Sequence, residues 1–332
     1  NILKHILIMN KKNHLDYLSF ARVFAIYWVV LIQHNFAPFH PDWGWVDCSG
    51  YPSYFDQLSP FTQLITLLSM PLCFFISGFV THYSGQLTKR SEWKQYIWKK
   101  CQRLLFPCWV FGVLCELAMY GKVSFDALFG IHHLWFVFYL FIISIVAWWT
   151  MSSTKMTYLL FSVFIAVGCM VISKYTPASK LWGIGYYYLW FQFGFLVSAF
   201  KDRISGYLRY IPVFYTGILA IYLLFTNYNL PLSGGVRMVY EIAGVAMIIQ
   251  LFRLLNRRYS PKDNKIWKLM DGTSYGLYIF HFIILFGFYS FFSSQNHTDW
   301  LIENAYWMTT ILAFCTIPTS IVATIIFKNI KL

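Results

Sequence analysis

The chain has 332 residues, 58% of them hydrophobic, 21% aromatic and only 12% charged, with a mean hydropathy of +0.53. About a quarter of an ordinary soluble domain is charged, and no globule of this size could hide so much apolar side chain, so a water-soluble enzyme, a secreted disulfide scaffold and a disordered regulator are excluded. The net charge of +13 would point to nucleic acid in a soluble protein; here it indicates cytoplasmic loops facing anionic membrane lipid, and no nucleic-acid partner is expected.

A spanning helix needs about 20 mostly apolar residues. Ten such stretches lie near 17–38, 61–81, 103–120, 133–150, 156–173, 184–200, 210–227, 237–254, 272–292 and 303–326. The expected fold is therefore an all-α integral membrane protein of about ten transmembrane helices. It reads as one domain over 1–332, with a cytoplasmic N-terminal segment 1–16 and no internal repeat, low-complexity tail or appended catalytic domain. With the N-terminus inside, 21 Lys and Arg residues fall in inside segments and 4 (Lys122, Lys174, Lys180, Arg237) outside. That bias predicts both termini in the cytoplasm. Met9-Asn10-Lys11-Lys12 reads as a natural bacterial start, and the first span is expected to act as a signal anchor rather than a cleaved signal.

Ionisable residues inside a membrane are costly and are functional candidates by default. The first span carries Arg22 near its cytoplasmic end and His34 about 18 Å further along at 1.5 Å per residue. Arg22 could bind an anionic group entering from the cytoplasm while a neutral His34 takes a proton from a hydroxyl deeper in the bundle. The alternative is a snorkelling Arg and a His that bonds a neighbouring helix. The loop 39–60 holds Asp42, Asp47 and Asp56 among Trp, Tyr and Pro, with no Lys or Arg. This suits saccharide stacking, and equally an interfacial aromatic belt. Lys100 and Arg103 stand one helical turn apart, able to face one phosphate-bearing ligand, although ordinary positive-inside charge has the same look. Glu116 in the third span could orient or balance the site. His132 and His133 open the fourth span, Glu241 reads as an i,i+4 partner of Arg237, Asp271 as a helix-start residue, and His281 as a buried imidazole or a further site residue. Of seven cysteines only Cys48 is expected outside, which leaves no extracellular disulfide within the chain, and no Cys/His spacing suggests a metal.

Several of these segments, in order, resemble the acyltransferase 3 family of bacterial membrane acyltransferases. Leu15-Asp16-Tyr17-Leu18 with Arg22 and Val29-Val30-Leu31-Ile32-Gln33-His34 is similar to its first-helix Arg/His motif, and Phe75-Ile76-Ser77-Gly78-Phe79 to part of its second helix. Lys100-Cys101-Gln102-Arg103 with Pro107 resembles its Arg-x-x-Arg motif, His133-Leu134-Trp135-Phe136 its fourth-helix entry, and Tyr278-Ile279-Phe280-His281 its late Tyr-x-x-His helix. The resemblance implies O-acylation of a saccharide or lipid-linked glycan hydroxyl with acetyl-CoA as donor substrate, in the bacterial cytoplasmic membrane. It also implies that His34 is catalytic, and that Arg22, Lys100 and Arg103 serve the donor. Family members often carry an extracytoplasmic hydrolase-like domain, so a chain without one is expected to act alone or through a partner. A transporter of an acylated glycan or small solute, and a structural partner of a polysaccharide synthase, are the competing classes.

Two departures stand out. Lys100 replaces an arginine, keeping charge and losing the bidentate fork. The family places its Arg and His eleven positions apart; here the separation is twelve, with Gln33 at the family's His position. On a regular helix at about 100° per residue, eleven positions leave two side chains about 20° apart and twelve leave them about 120° apart. A π-bulge between Arg22 and His34 is predicted to restore the common face.

Overall fold

Apolar runs in lipid must satisfy their own backbone hydrogen bonds, and the α-helix does so within one segment. The computed structural model describes residues 16–34, 60–85, 92–150, 156–175, 180–204, 210–227, 234–258, 264–293 and 303–329, and every regular element among them is helical. Asp42, Asp47, Cys48 and Asp56 of the first loop lie outside the described residues.

Helix α1 (Asp16–Trp28) runs directly into a π-helical turn, Val29–His34, and α2 spans Pro60–Tyr83. Helix α3 (Trp93–Lys100), a second π-helical turn (Cys101–Leu105) and α4 (Phe106–Tyr120) make one rod. Two 3-10 turns, Phe125–Phe129 and His132–Leu134, lead into α5 (Trp135–Thr150). Then follow α6 (Met156–Tyr175), α7 (Lys180–Ala199), α8 (Ile211–Asn227), α9 (Gly234–Arg258), α10 (Lys265–Ser293) and α11 (Ala305–Asn329). Among the described residues, six segments are long and apolar enough to cross a membrane: Ile65–Tyr83, Trp93–Tyr120, Phe125–Thr150, Val236–Asn256, Lys265–Ser293 and Trp307–Asn329. Leu160–Tyr175 and Ile211–Leu223 are shorter apolar helices.

Two rods begin earlier than their apolar stretches because polar, helix-compatible turns extend them. The rod through α3 starts at Trp93 and thereby carries Lys94, Lys99 and Lys100 as helical residues. Helix α10 starts at Lys265, capped by Asn264, whose side-chain oxygen accepts the N–H groups of Ile266 (2.9 Å) and Trp267 (3.2 Å). Asp271, expected at a helix start, therefore lies well inside α10, and its carboxylate faces another helix.

Helices α2 and α7 form the most extensive contact, and glycines make it possible. A Cβ on Gly78 would stand 1.9 Å from the Phe191 carbonyl oxygen, and one on Gly194 would stand 1.9 Å from that of Phe75. Two backbones thus touch at reciprocal small residues, the usual way for membrane helices to gain van der Waals contact without a hydrophobic driving force. This holds the aromatic core in register. Phe74 stacks on Tyr187 (4.6 Å between centroids) and meets Phe136 edge-on (4.9 Å), and Phe136 meets Tyr278 of α10 at 5.4 Å. The described cysteines, Cys73, Cys101, Cys108, Cys115, Cys169 and Cys315, are free thiols.

Candidate active site

Helix α10 gathers the candidate residues. At its first end Asp271 accepts a hydrogen bond from Arg22 Nη2 at 2.7 Å, and the Ser19 hydroxyl donates to the same Oδ1 atom. Ser19 and Arg22 are one turn apart on α1, so both reach one carboxylate. One turn along α10 from Asp271, the Tyr275 hydroxyl donates to the backbone oxygen of Arg103. The local sequence explains that bond: in an α-helix the Arg103 carbonyl would be served by the N–H of residue 107, which is proline and has none. The π turn over Cys101–Leu105 falls at the same interruption, with the Phe106 N–H reaching back to the Cys101 carbonyl. Lys328 of α11 donates to the Gly272 carbonyl, adding a third cation at this level.

Beside this end opens a cavity of about 250 Å³ whose lining includes Lys99, Lys100, Arg103, Glu92, Tyr96 and Trp148. Tyr96 and Trp148 pack with ring centroids 4.8 Å apart, and the Tyr96 hydroxyl donates to the Ser144 carbonyl at 3.2 Å, fixing the ring. Lys100 Nζ lies over the Tyr96 ring at 5.3 Å. Three cations, one carboxylate and two aromatic rings make a pocket suited to a phosphate-bearing ligand with a flat aromatic group. Lys100 and Arg103 are thus brought together. Arg22 is not in the cavity lining; it reaches the same end of the bundle through Asp271.

About 18 Å along α1 from Arg22, at 1.5 Å per residue, the backbone reaches residue 34. The predicted bulge is present, as the π turn Val29–His34. One extra residue in the hydrogen-bond ladder makes twelve positions wind like eleven, which returns the Cα of residue 34 to within about 20° of that of Arg22. The side chains of Gln33 and His34 lie outside the described residues. Val29 and Val30 are fully buried, and the turn packs against α2, α10 and α11.

Further along α10, His281 is fully buried, with Nδ1 2.7 Å from the Tyr278 carbonyl oxygen and 3.1 Å from that of Leu277. A carbonyl can only accept, so Nδ1 carries the proton and Nε2 the lone pair. The His281 ring stands 4.8 Å from that of His133, edge to face. His133 is equally buried; its Nε2 donates to the Ile279 carbonyl at 3.1 Å, and the Tyr278 hydroxyl donates back to the His133 carbonyl. Just before it, His132 holds a φ of +47°, where non-glycine residues are uncommon and strained. Glu116 has a different employment: its oxygens accept from the Ser124 N–H and, at 2.6 Å, from the Ser124 hydroxyl, tying down the entry to the turn Phe125–Phe129. Among the described residues no group of three His, Cys, Asp or Glu side chains is arranged to hold a metal ion.

The profile of a family described as an acyltransferase domain matches residues 15–328, nearly the whole chain. The chain belongs to the acyltransferase 3 family. No curated protein and no solved structure matches it. In this membrane acyltransferase two partners escape sequence reasoning. Asp271 pairs with Arg22 across 249 positions, and nothing local announces that. Tyr275 had a signal, since Pro107 leaves a carbonyl in want of a donor. Glu241 does pair with Arg237, at 3.0 Å, and also takes a hydrogen bond from the Tyr186 hydroxyl of α7.

Proposed function

We propose that this protein transfers an acetyl group from cytoplasmic acetyl-CoA to a hydroxyl of an envelope saccharide or lipid-linked glycan, in a bacterial cytoplasmic membrane that it crosses about ten times with both termini inside. The π turn at Val29–His34 carries the reading. A π turn interrupts a helix at a cost and recurs at functional sites, and this one offsets the extra residue between Arg22 and His34. The basic cavity supports it from the donor side: Lys99, Lys100 and Arg103 offer charge to the CoA phosphates, and Tyr96 and Trp148 offer an aromatic face.

In this reading the donor's anionic groups are held at Arg22, Lys100 and Arg103 while the thioester reaches inward. His34 takes the proton as the acceptor oxygen attacks the thioester carbonyl; the C–S bond then breaks, and the imidazolium returns the proton to the CoA thiolate. In the two-step variant His34 carries the acetyl group between donor and acceptor. His281 serves as a secondary base through Nε2, its ring held by the Tyr278 and Leu277 carbonyls and packed edge to face on His133. Glu116 serves by position, holding the loop that leads to His132 and His133.

Acetyl transfer from radiolabelled acetyl-CoA in proteoliposomes, with an envelope-glycan extract as acceptor, tests the proposal. Label incorporated by wild type and lost in His34→Ala supports it. Equal incorporation by His34→Ala overturns the assignment of His34. Solute flux that is independent of acetyl-CoA and of His34 overturns the enzymatic reading in favour of transport.

A further inference from the structure

The Arg22–Asp271 pair poses a problem that the donor reading alone does not solve. A cation meant to receive a phosphate is already occupied by a carboxylate at 2.7 Å, from a helix 249 positions away. Ser19 shares that carboxylate oxygen, so α1 donates to Asp271 twice and fixes its direction toward Arg22. The side chains are 46% and 35% exposed, so the pair is accessible and only partly desolvated. Around it Lys328 reaches the adjacent Gly272 carbonyl, and Arg103 is tied in through Tyr275 one turn further along α10. Arg22 is thus the cation paired with Asp271, while Lys328 is held at the neighbouring carbonyl and Arg103 is tied in by its backbone oxygen, leaving its guanidinium to the cavity.

Resting on the donor reading above, we infer that Asp271 is a positioning residue that competes with the donor for Arg22. It holds the guanidinium in a closed pair that only a strongly anionic ligand opens, and it recaptures Arg22 when CoA leaves. A guanidinium offers five N–H donors in a planar fork. A phosphate placed beside the exposed pair can therefore take one edge of Arg22 as the other swings from Asp271. The released carboxylate keeps its bond from Ser19, so it is not left without a donor. Recapture of Arg22 by that carboxylate then helps to expel the product. A purely architectural pair would behave in the opposite sense, because removing its carboxylate would loosen α1 against α10 and weaken whatever binds there.

The sign of one substitution decides between the two. Binding of radiolabelled CoA to the full chain in nanodiscs would be compared for wild type, Asp271→Asn, Arg22→Ala and the double variant. A half-exposed pair is worth at most about 1 kcal/mol, so removing the competitor is expected to tighten CoA binding about two- to fivefold. The salt dependence should steepen as well, since one more unpaired cation faces the ligand. In the Arg22→Ala background Asp271→Asn should change nothing, because the competitor acts through Arg22. Asp271→Glu, which keeps the charge, should restore wild-type affinity. If Asp271→Asn does not fold, Asp271→Ser takes its place with the same expected sign. Unchanged or weaker binding in a folded Asp271→Asn protein overturns the inference, as does equal tightening without Arg22. Wild type that binds no CoA would overturn the donor reading and this inference with it. Normal wild-type binding with an indifferent Asp271 would overturn this inference alone.

Discussion

Deleting Gln33 would test whether the π turn exists to set the rotation of residue 34. The deletion brings Arg22 and the histidine to eleven positions, for which an unbroken α-helix already leaves the two about 20° apart. The bulge then has no purpose and the turn can close as regular helix, with the buried Val29 and Val30 kept in place. Deleting Ile32 gives the same register with a different residue lost, so the pair of deletions separates winding from side-chain chemistry. Both variants are expected to retain acetyl transfer within about tenfold, since rotation and height change little. Stability should stay level or rise by about 1 kcal/mol, because a ladder hydrogen bond is regained. Inserting one Ala after Val30 adds about 100° instead. On a Cα radius of about 2.3 Å that displaces the position by about 3.5 Å. A misplacement of about 1 Å can already cost a hundredfold, so the insertion should abolish transfer. The assay is label transfer from acetyl-CoA in proteoliposomes, normalised to folded protein. A folded deletion variant that binds CoA yet is as inactive as His34→Ala would refute the winding argument, and so would an active insertion variant.

Other expectations follow from single contacts. Gly78→Ala and Gly194→Ala each push a methyl against backbone, and moving from 1.9 Å to an ordinary 3.4 Å requires α2 and α7 to part; each should cost about 1–3 kcal/mol in thermal or denaturant unfolding. Gly217→Ala on α8, where nothing lies within 4 Å, should be neutral or stabilising and serves as the control. Arg103→Ala should raise the donor KM about ten- to a hundredfold and flatten its salt dependence while kcat changes little, whereas Lys100→Arg, which restores a fork, should lower that KM. Glu116→Gln should lower stability by about 1–2 kcal/mol through its weakened hold on Ser124, yet leave transfer within about threefold. A hundredfold loss of activity in a stable Glu116→Gln protein would give that carboxylate a chemical role.

What the sequence disclosed divides along the range of the interactions involved. Composition alone is enough for an all-helical membrane protein, because lipid admits few other folds for a chain this apolar. The π turn is legible too, although it is an irregularity: a motif with one residue too many must either lose its common face or bulge, and counting positions exposes the choice. The same arithmetic reaches Arg103, where Pro107 four positions on removes the donor that an α-helix would supply. Asp271 is different in kind. Followed by Gly272, Thr273 and Ser274 at the edge of an apolar stretch, it has the local chemistry of a cap, and only the polar turn Asn264–Lys268 ahead of it, capped by Asn264, displaces it into the helix. Its partner Arg22 is identified by the packing of α1 on α10, which no periodicity in either helix encodes. Pairs of this kind follow from tertiary contact, and so does the meeting of the buried His133 and His281, each of which alone could pass for a satisfied core histidine. The parts of the site fixed by spacing along one helix were therefore readable, while those fixed between helices needed the bundle. That division places the least foreseeable residue, Asp271, directly on the most foreseeable one, Arg22.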